Sequence, residues 1–302
     1  MIASALRILA PLLVAAALLD PEAAQAEMRV LDAAGHEVAI GSAERIVSVG
    51  GAITEILYAL GLEERIVAVD TTSLYPQQVA EKPDVGYMRQ LAAEPILALE
   101  PTLVLVEEDS GPPAVLDQLR EAGVPVVAVA DDYSAEGVLE KIGRIAAAVG
   151  EEARGEALIA RVRDEIESVR ASLGEVAARP RVLFLLSLGK GAPLAAGRRT
   201  SADGIIALAG GRNAIDGFER YKPLSPEAAV AAAPDVIVVT SRSLALLGGN
   251  EGVLAMPEVA LTPAGEHGRV IAIDGLLLLG FGPRIATAIR MLAQALHPEL
   301  SL

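Results

Sequence analysis

The chain has 302 residues, of which 52% are hydrophobic, 22% charged and 3% aromatic, and it contains no Cys and no Trp. This length and apolar content allow a large core and indicate two domains of ordinary size. The formal charge of −15 argues against nucleic acid as a partner, because phosphate contacts need a basic face. The absence of Cys argues against disulfides, thiolate chemistry and a lipid attached through an N-terminal Cys.

Residues 1–26 have the features of a secretory signal peptide. Arg7 supplies a positive charge, residues 8–19 form an apolar run, and residues 24–26 (Ala-Gln-Ala) supply the small side chains of a cleavage site. The apolar run is too short to cross a bilayer. A retained N-terminal anchor is the alternative, and in both cases we expect the remainder to be exported, most simply as a free periplasmic protein.

Residues 27–150 are predicted to form one α/β lobe. A β-hairpin is expected first, over residues 28–40, and the alternation of strands and helices that follows it indicates a parallel sheet. Thr54 is the candidate N-cap of the first helix, which Gly61 ends. The other predicted elements are strands at residues 45–49, 65–69, 102–106 and 124–129 and helices at residues 91–100, 113–122 and 136–149.

A long helix is predicted within residues 151–178. Its apolar side chains recur every three or four positions from Leu158 to Val176, and charged residues occupy the rest of the helical wheel. At about 1.5 Å per residue the helix would be roughly 40 Å long, which is more than one sheet needs. We expect it to bridge two lobes rigidly.

Residues 179–302 are predicted to form a second, similar α/β lobe. Residues 91–106 and 224–239 share a Leu, a Glu three positions later, a Pro seven positions after the Glu and then an aliphatic run, which indicates an internal repeat. The predicted elements are strands at residues 181–186, 236–240 and 270–273 and helices at residues 202–208, 226–232 and 285–296. The predicted fold class is therefore α/β, with two similar lobes bridged by one long helix and a ligand cleft between them.

Enzyme motifs are absent from the sequence. It contains no dinucleotide-binding fingerprint, no Walker-type phosphate loop, no nucleophile elbow and no zinc-protease helix. The three His residues, His36, His267 and His297, stand at turns or near the terminus and are predicted to be solvated. A catalytic triad and a tetrahedral zinc site are therefore not expected.

Tyr75 is the candidate ligand of a bound iron. It follows the strand at residues 65–69, the intervening Asp, Thr and Ser residues favour a loop, and Pro76 favours an extended Tyr75 whose phenol projects outward. Loops at the carboxyl ends of strands are where open α/β sheets bind ligands. The alternative is an ordinary half-buried loop tyrosine. Other loops facing the expected cleft contain Tyr87, Met88, Arg89, Arg199, Arg242, Phe281 and Arg284.

The sequence resembles the periplasmic haem-binding proteins of bacterial haem ABC importers, which lie within a larger class of binding proteins for cobalamin and ferric siderophores. The resemblance covers essentially the whole chain after residue 26. The class-level features are Arg45-Ile46-Val47-Ser48, Thr54-Glu55-Ile56-Leu57-Tyr58-Ala59-Leu60-Gly61, the repeat ending in the strand after Pro101, and the long helix. The haem-specific features are Thr72-Ser73-Leu74-Tyr75-Pro76, Val85-Gly86-Tyr87-Met88-Arg89, Ser110-Gly111-Pro112-Pro113 and Leu279-Gly280-Phe281-Gly282-Pro283-Arg284.

The resemblance implies that haem b is the transported ligand and that the Tyr75 phenolate binds its iron. It also implies apolar contacts to the porphyrin and pairing of arginines with the propionates, which assigns ligand contacts to Tyr87, Met88, Arg89, Arg199, Arg242, Phe281 and Arg284. Some relatives carry a basic residue two positions after the tyrosine, where this chain has Gln77, so a cationic partner is expected from Arg242 or Arg89. Because the corresponding second-lobe loops contain no His, one haem is expected.

The resemblance further implies delivery of the haem, by a monomeric protein, to an inner-membrane ABC permease with its ATPase. The docking residues would be one acid on each lobe, Glu55 and Asp203. The alternative for both is a helix N-terminal acid favoured by the helix dipole, worth about 0.3 to 1 kcal/mol.

Three other functions remain open from the sequence. The same fold could bind cobalamin or a ferric siderophore, with Tyr75 only lining the wall of the cleft. An exported α/β enzyme would need a base or nucleophile in the cleft, which the three His residues do not favour. An interaction module would bind no small ligand.

Overall fold

The computed structural model describes residues 28–174, 178–186 and 192–300. The predicted signal peptide, residues 1–26, lies outside the described residues, and so does the predicted end of the long helix at residues 175–177. No helix in the described ranges is both long and apolar enough to cross a membrane.

The first lobe begins with an antiparallel hairpin of β1 (Met28–Leu31) and β2 (Glu37–Ile40), as predicted. Its parallel sheet has the order β4-β3-β5-β6. The strands are β3 (Ile46–Val49), β4 (Ile66–Val69), β5 (Leu103–Glu107) and β6 (Val126–Val129). The helices are α1 (Gly51–Ala59), α2 (Ala93–Leu97), α3 (Pro113–Glu121) and α4 (Ala135–Ala148). Such sheets are covered on both faces, which explains their continuous aliphatic strands.

The second lobe contains a sheet of order β10-β8-β7-β11-β12, with β9 paired to the start of β7. The strands are β7 (Arg181–Leu186), β8 (Leu194–Ala196), β9 (Arg212–Asn213), β10 (Tyr221–Pro223), β11 (Val236–Thr240) and β12 (Val270–Ile273). The helices after the long helix are α6 (Ser201–Leu208), α7 (Pro226–Ala232), α8 (Ser241–Leu246), α9 (Asn250–Leu254), α10 (Pro257–Ala260), α11 (Pro263–Glu266), α12 (Gly275–Leu279) and α13 (Ile285–Leu296). Strands β7, β11 and β12 are parallel, whereas β8 and β10 add an antiparallel edge.

The internal repeat is visible in the backbone. In both lobes a short helix, α2 or α7, leads through a proline into a central strand, β5 or β11. The residue before that proline has a positive φ in each case, 48° at Glu100 and 42° at Ala233. Since non-glycine residues rarely adopt this conformation, its recurrence at matched positions supports the similarity of the lobes.

The long helix is α5 (Glu152–Leu173), which has 22 residues and is therefore about 33 Å long rather than 40 Å. It ends at Gly174, whose φ of 55° does not continue a helix. The described part of its apolar stripe, from Leu158 to Leu173, is buried as predicted, and the helix packs against α4 of the first lobe and α13 of the second. One hydrophobic cluster runs through these helices and joins the two lobes. One further cluster fills the outer side of each sheet.

The crossing of α4 and α5 leads to a stability prediction. A Cβ atom placed on Gly155 would lie 2.4 Å from the Cβ of Ala146, so Gly155→Ala must push the helices apart. We expect a loss of about 1 to 2 kcal/mol in the free energy of unfolding, measured with urea. The control is Gly143→Ala, where the nearest atom is 3.5 Å away and helix propensity predicts a gain of up to about 1 kcal/mol. Equal effects of the two variants would contradict the tight crossing.

Candidate ligand-binding site

The loop of residues 70–76, called the tyrosine loop below, is held by a buried carboxylate. Asp70 is 1% exposed and accepts hydrogen bonds from the backbone N–H of Gly50 (2.9 Å), the N–H of Thr72 (2.9 Å), the Thr72 hydroxyl (2.7 Å) and the Ser73 hydroxyl (2.9 Å). A charged acceptor with this many donors stabilises one loop conformation. The backbone of the tyrosine loop is therefore held in place by the first lobe itself.

Buried hydroxyl groups extend this network into the sheet and helix. The Thr54 hydroxyl lies 2.7 Å from the Ser48 hydroxyl and 2.7 Å from the Ser73 hydroxyl. The prediction that Thr54 caps α1 is wrong, because α1 begins three residues earlier, after Gly50, and Thr54 lies inside it. The hydroxyl instead ties the tyrosine loop to β3 and α1. The sequence signal that could have shown this is the cluster of small hydroxyl residues directly after a buried strand.

Tyr75 projects from the loop with 45% of its surface exposed. The guanidinium carbon of Arg284 lies 3.6 Å from the centre of its ring, which is a close cation–π contact. Arg284 follows α12 in the second lobe, so this contact crosses between the lobes. An exposed phenol beside a cation can bind a metal ion as its anion, because both positive charges stabilise the phenolate.

Glu55 holds the other side of the Arg284 guanidinium through an ion pair. Its carboxylate accepts two hydrogen bonds from the guanidinium, one of 2.8 Å from Nε to Oε2 and a shorter one from Nη2 to Oε1. Burial raises the pKa of the Glu55 carboxyl, and the bond with Arg284 partly offsets this effect. The predicted docking role required an acid at the surface, but Glu55 is only 5% exposed and is paired across the lobes. The docking role of Glu55 stays a prediction, and it would require this pair to open.

A groove of about 770 Å³ opens beside Tyr75 and Arg284. This is within the usual volume range of small-molecule sites. Its walls come from the tyrosine loop and the turn after it, α1, α5 and the start of α13, and they include Glu55, Tyr58, Tyr75, Arg161, Glu165 and Arg284. Among the residues expected to contact a ligand, Tyr87, Met88, Arg89, Arg199, Arg242 and Phe281 do not line this groove. The structure thus separates the predicted residues into those at the groove and those elsewhere.

Tyr87 and Arg89 form a second pair of exposed side chains near the tyrosine loop. Arg89 donates a hydrogen bond of 2.8 Å to the Tyr87 hydroxyl and pairs with Asp109 at 3.2 Å. The backbone N–H of Thr71 bonds to the carbonyl of Gly86, which joins the two loops directly. Both side chains remain accessible to a ligand that extends from Tyr75 along this edge.

Met88 and Phe281, two of the predicted ligand contacts, are both buried in this conformation. Met88 is buried in the cluster on the outer side of the first sheet, because its neighbours Tyr87 and Arg89 take the exposed positions. Phe281 is fully buried and packs edge-on against Tyr133, with ring centres 5.3 Å apart. Tyr133 comes from the first lobe, so Phe281 contributes to the contact between lobes. Neither side chain is available to a porphyrin face in this conformation.

The three predicted site residues of the second lobe that remain, Arg199, Arg242 and Asp203, differ in exposure and in their contacts. The Arg199 side chain is 81% exposed and lies 3.9 Å from Glu219. Arg242 is exposed at the start of α8, and its side chain has no ion-pair partner within residues 28–174, 178–186 and 192–300. Asp203 accepts hydrogen bonds from the Arg199 N–H and the Asn213 side chain, as a helix N-terminal acid does. Asp203 is thus partly buried and engaged within its own lobe.

The His residues follow the prediction in two of three cases. His36 and His267 are exposed, but His297 is buried at 2% exposure, because α13 places it against the core. Its prediction as a solvated residue is wrong. Within the described parts of the chain, no group of three or more His, Cys, Asp and Glu side chains is arranged to hold a metal ion.

A buried charge cluster at the carboxyl ends of β5 and β6 was missed from the sequence. Lys141 is 3% exposed and pairs with Asp131 at 3.1 Å. Burial, together with the charges of Asp131 and Asp70, raises the pKa of Glu107 from 4.5 to about 7, and Lys141 lowers it in part. The available signal was a lysine on the otherwise apolar face of α4, between Val138 and Ile142.

This cluster predicts a pH-dependent stability. The pKa of Glu107 is raised in the folded state, so the protonated carboxyl favours folding. This contribution to the free energy of unfolding is fully present below pH 4.5 and is lost as the pH rises through about 7. We expect the difference in unfolding free energy between the wild type and Glu107→Gln to fall by on the order of 2 kcal/mol between pH 4.5 and 7.5. Urea titrations at several pH values measure it, with the exposed neighbour Glu108→Gln as control. A constant difference would contradict the raised pKa.

The chain belongs to the periplasmic binding protein family, whose model matches residues 46–276. It is similar to the periplasmic haem-binding protein RhuT from Roseiflexus sp. RS-1, with 45% identity, 85% of this chain and 99% of that chain covered, and a TM-score of 0.82. It is also similar to the periplasmic haem-binding protein BhuT in complex with two haems, with 41% identity, coverage of 85% and 99%, and a TM-score of 0.80. The vitamin B12-binding protein of Yersinia pestis (strain Pestoides F) is 25% identical over 254 residues, which cover 84% of this chain and 86% of that protein.

These findings confirm the predicted class and fold. The family is one of substrate-binding proteins, and the two-lobed α/β architecture is shared with the solved structures.

Proposed function

We propose that the protein binds ferric haem b in the periplasm and delivers it to an inner-membrane ABC permease with its ATPase. The observation that carries the proposal is the exposed Tyr75, fixed on a rigid loop beside the Arg284 guanidinium at the edge of a groove. The similarity to two haem-binding proteins at 45% and 41% identity supports haem as the ligand.

We also propose a division of the chain into four segments. Residues 1–26 act as a signal peptide, residues 27–150 form the first lobe, residues 151–178 form the bridging segment and residues 179–302 form the second lobe. Because one hydrophobic cluster joins the lobes through α5, ligand uptake involves only a small closure. The protein acts as a monomer and performs no catalysis, so the haem leaves as it arrived.

The chemistry of binding uses residues from both lobes. The exposed Tyr75 phenol releases its proton to solvent and binds the ferric iron through its oxygen. Exposed Arg89, Arg199 and Arg242 offer guanidinium groups to the two propionates, a match that arginine makes with two parallel hydrogen bonds. Tyr87 offers a ring against the porphyrin.

A corrinoid is the second candidate, favoured by the similarity to a vitamin B12-binding protein. In that case Tyr75 would be a wall residue with no bond to the metal. A ferric siderophore would use the same cleft and is the third ligand to test.

The test is a titration of the purified protein with hemin, followed by absorbance, next to titrations with cobalamin and a ferric siderophore followed by calorimetry. The proposal predicts saturable uptake of hemin with a ferric phenolate charge-transfer band, and weak or no heat with the other two ligands. Saturable binding of cobalamin or the siderophore without uptake of hemin would contradict it. The end point also measures whether one haem binds, as predicted, or two. Mass spectrometry of the recovered haem tests the absence of catalysis.

A further inference from the structure

Arg284 makes two contacts at once, and each joins the second lobe to the first. Its guanidinium donates two hydrogen bonds to Glu55 of α1, and the same planar group lies 3.6 Å over the ring of Tyr75. Glu55 and Arg284 are 229 positions apart in the chain. Arg284 is therefore a charged group held between a buried carboxylate and an exposed phenol.

We infer that Arg284 is a positioning residue for Tyr75, and that Glu55 acts by holding Arg284 in place. This inference rests on the proposed function, in which the Tyr75 oxygen loses its proton and bears negative charge on binding iron. A guanidinium stacked on the ring stabilises that charge without occupying the oxygen, which stays free for the metal. The stack also orients a ring that is otherwise 45% exposed on a loop.

The pairing with Glu55 explains why an arginine stands at this position. The planar guanidinium can form two parallel hydrogen bonds at its edge and stack with its face at the same time, whereas the ammonium of lysine is a point charge that cannot do both. Glu55 and its helix α1 belong to the lobe that carries Tyr75, and Arg284 belongs to the other. The phenol is thus oriented only when the lobes are in the arrangement described here.

The cation beside Tyr75 is neither of the two arginines expected from the sequence. Arg242 and Arg89 were the candidates for a cation beside Tyr75, but Arg89 bonds to Tyr87 and Asp109, and the cation on the Tyr75 ring is Arg284. Glu55 becomes part of the ligand site. It is not a free surface acid while this pair is intact.

The test uses a variant that removes both charges together, Glu55→Gln with Arg284→Met, because Arg284→Met alone would leave a buried carboxylate unpaired. The matched control is Arg120→Met, which removes an arginine that is also paired with a carboxylate, Asp117 at 3.0 Å, on the outer helix α3. Thermal unfolding followed by circular dichroism verifies that each variant is folded.

The first readout needs no haem. Carbon-13 labelled tyrosine rings are observed by NMR, and the Tyr75 signal is identified by its loss in Tyr75→Phe. We expect the Tyr75 signal to shift in the double variant and to stay in place in Arg120→Met. An unchanged Tyr75 signal in the double variant would overturn the inference, whatever ligand the protein binds.

The second readout is a hemin titration of the same proteins. The double variant is expected to lose at least tenfold in affinity and to show a displaced phenolate charge-transfer band, which a merely structural role of Arg284 would not move. An affinity within twofold of the wild type together with an unchanged band would overturn the inference. If the wild-type protein takes up no hemin, the proposed function is contradicted instead. The NMR readout involves no haem, so it still tests the role of Arg284 in that case.

Discussion

Replacement of Tyr75 with Phe is expected to lower the affinity for ferric haem at least a hundredfold, or about 2.7 kcal/mol, and to remove the phenolate charge-transfer band. The substitution deletes one oxygen atom and keeps the ring under Arg284, so the groove and the lobe contact stay intact. The loss therefore measures the bond to iron separately from the packing of the ring. Hemin titration by absorbance gives both quantities.

The control for this substitution is Tyr87→Phe, which removes another exposed phenol oxygen close to the same loop. That variant is expected to keep the charge-transfer band and to lose less than tenfold in affinity. If the band were lost in Tyr87→Phe and kept in Tyr75→Phe, the ligand assignment would be wrong and Tyr87 would bind the iron.

Asp70→Ala is expected to cost about 3 to 5 kcal/mol of unfolding free energy, since it removes the buried acceptor of four hydrogen bonds. The N–H groups of Gly50 and Thr72 would lose their partner. The tyrosine loop would then no longer be held against α1. Urea unfolding measures this loss of stability. The affinity of the folded variant for hemin is expected to fall as well.

Asp84→Ala is the matched control, because Asp84 is exposed and its carboxylate accepts one hydrogen bond, from the Gly86 N–H. Its expected cost is about 1 kcal/mol or less. Similar costs for the two variants would show that the Asp70 network does not stabilise the loop as described.

Several elements of the second lobe were predictable from the sequence because their boundaries are set locally. Strands β7, β11 and β12 and helix α7 have the predicted bounds, and helix α13 ends at the predicted Leu296. Each of these elements begins within two residues of a proline or glycine. Strands β8 and β10, the antiparallel end of the second sheet, were missed. They have three residues each and form because a neighbouring strand offers partners, which no local pattern records.

The candidate site shows the same division between local and long-range information. The turn residues before Tyr75 predicted an exposed loop tyrosine, and the loop is formed by bonds within a few positions. The sequence analysis named Arg284 as a ligand contact but not as the cation beside Tyr75, because the stack of Arg284 on Tyr75 depends on how the two lobes pack. The burial of Met88 and Phe281 could not be predicted for a related reason, since their apolar side chains suit a ligand and a core equally.

The most direct measurement of the central claim is a crystal structure of the hemin complex. The account predicts ferric haem between the lobes, with its iron at coordination distance from the Tyr75 phenol oxygen and the Arg284 guanidinium still over the Tyr75 ring. Haem bound through another residue, or bound at a place that leaves Tyr75 free, would contradict it.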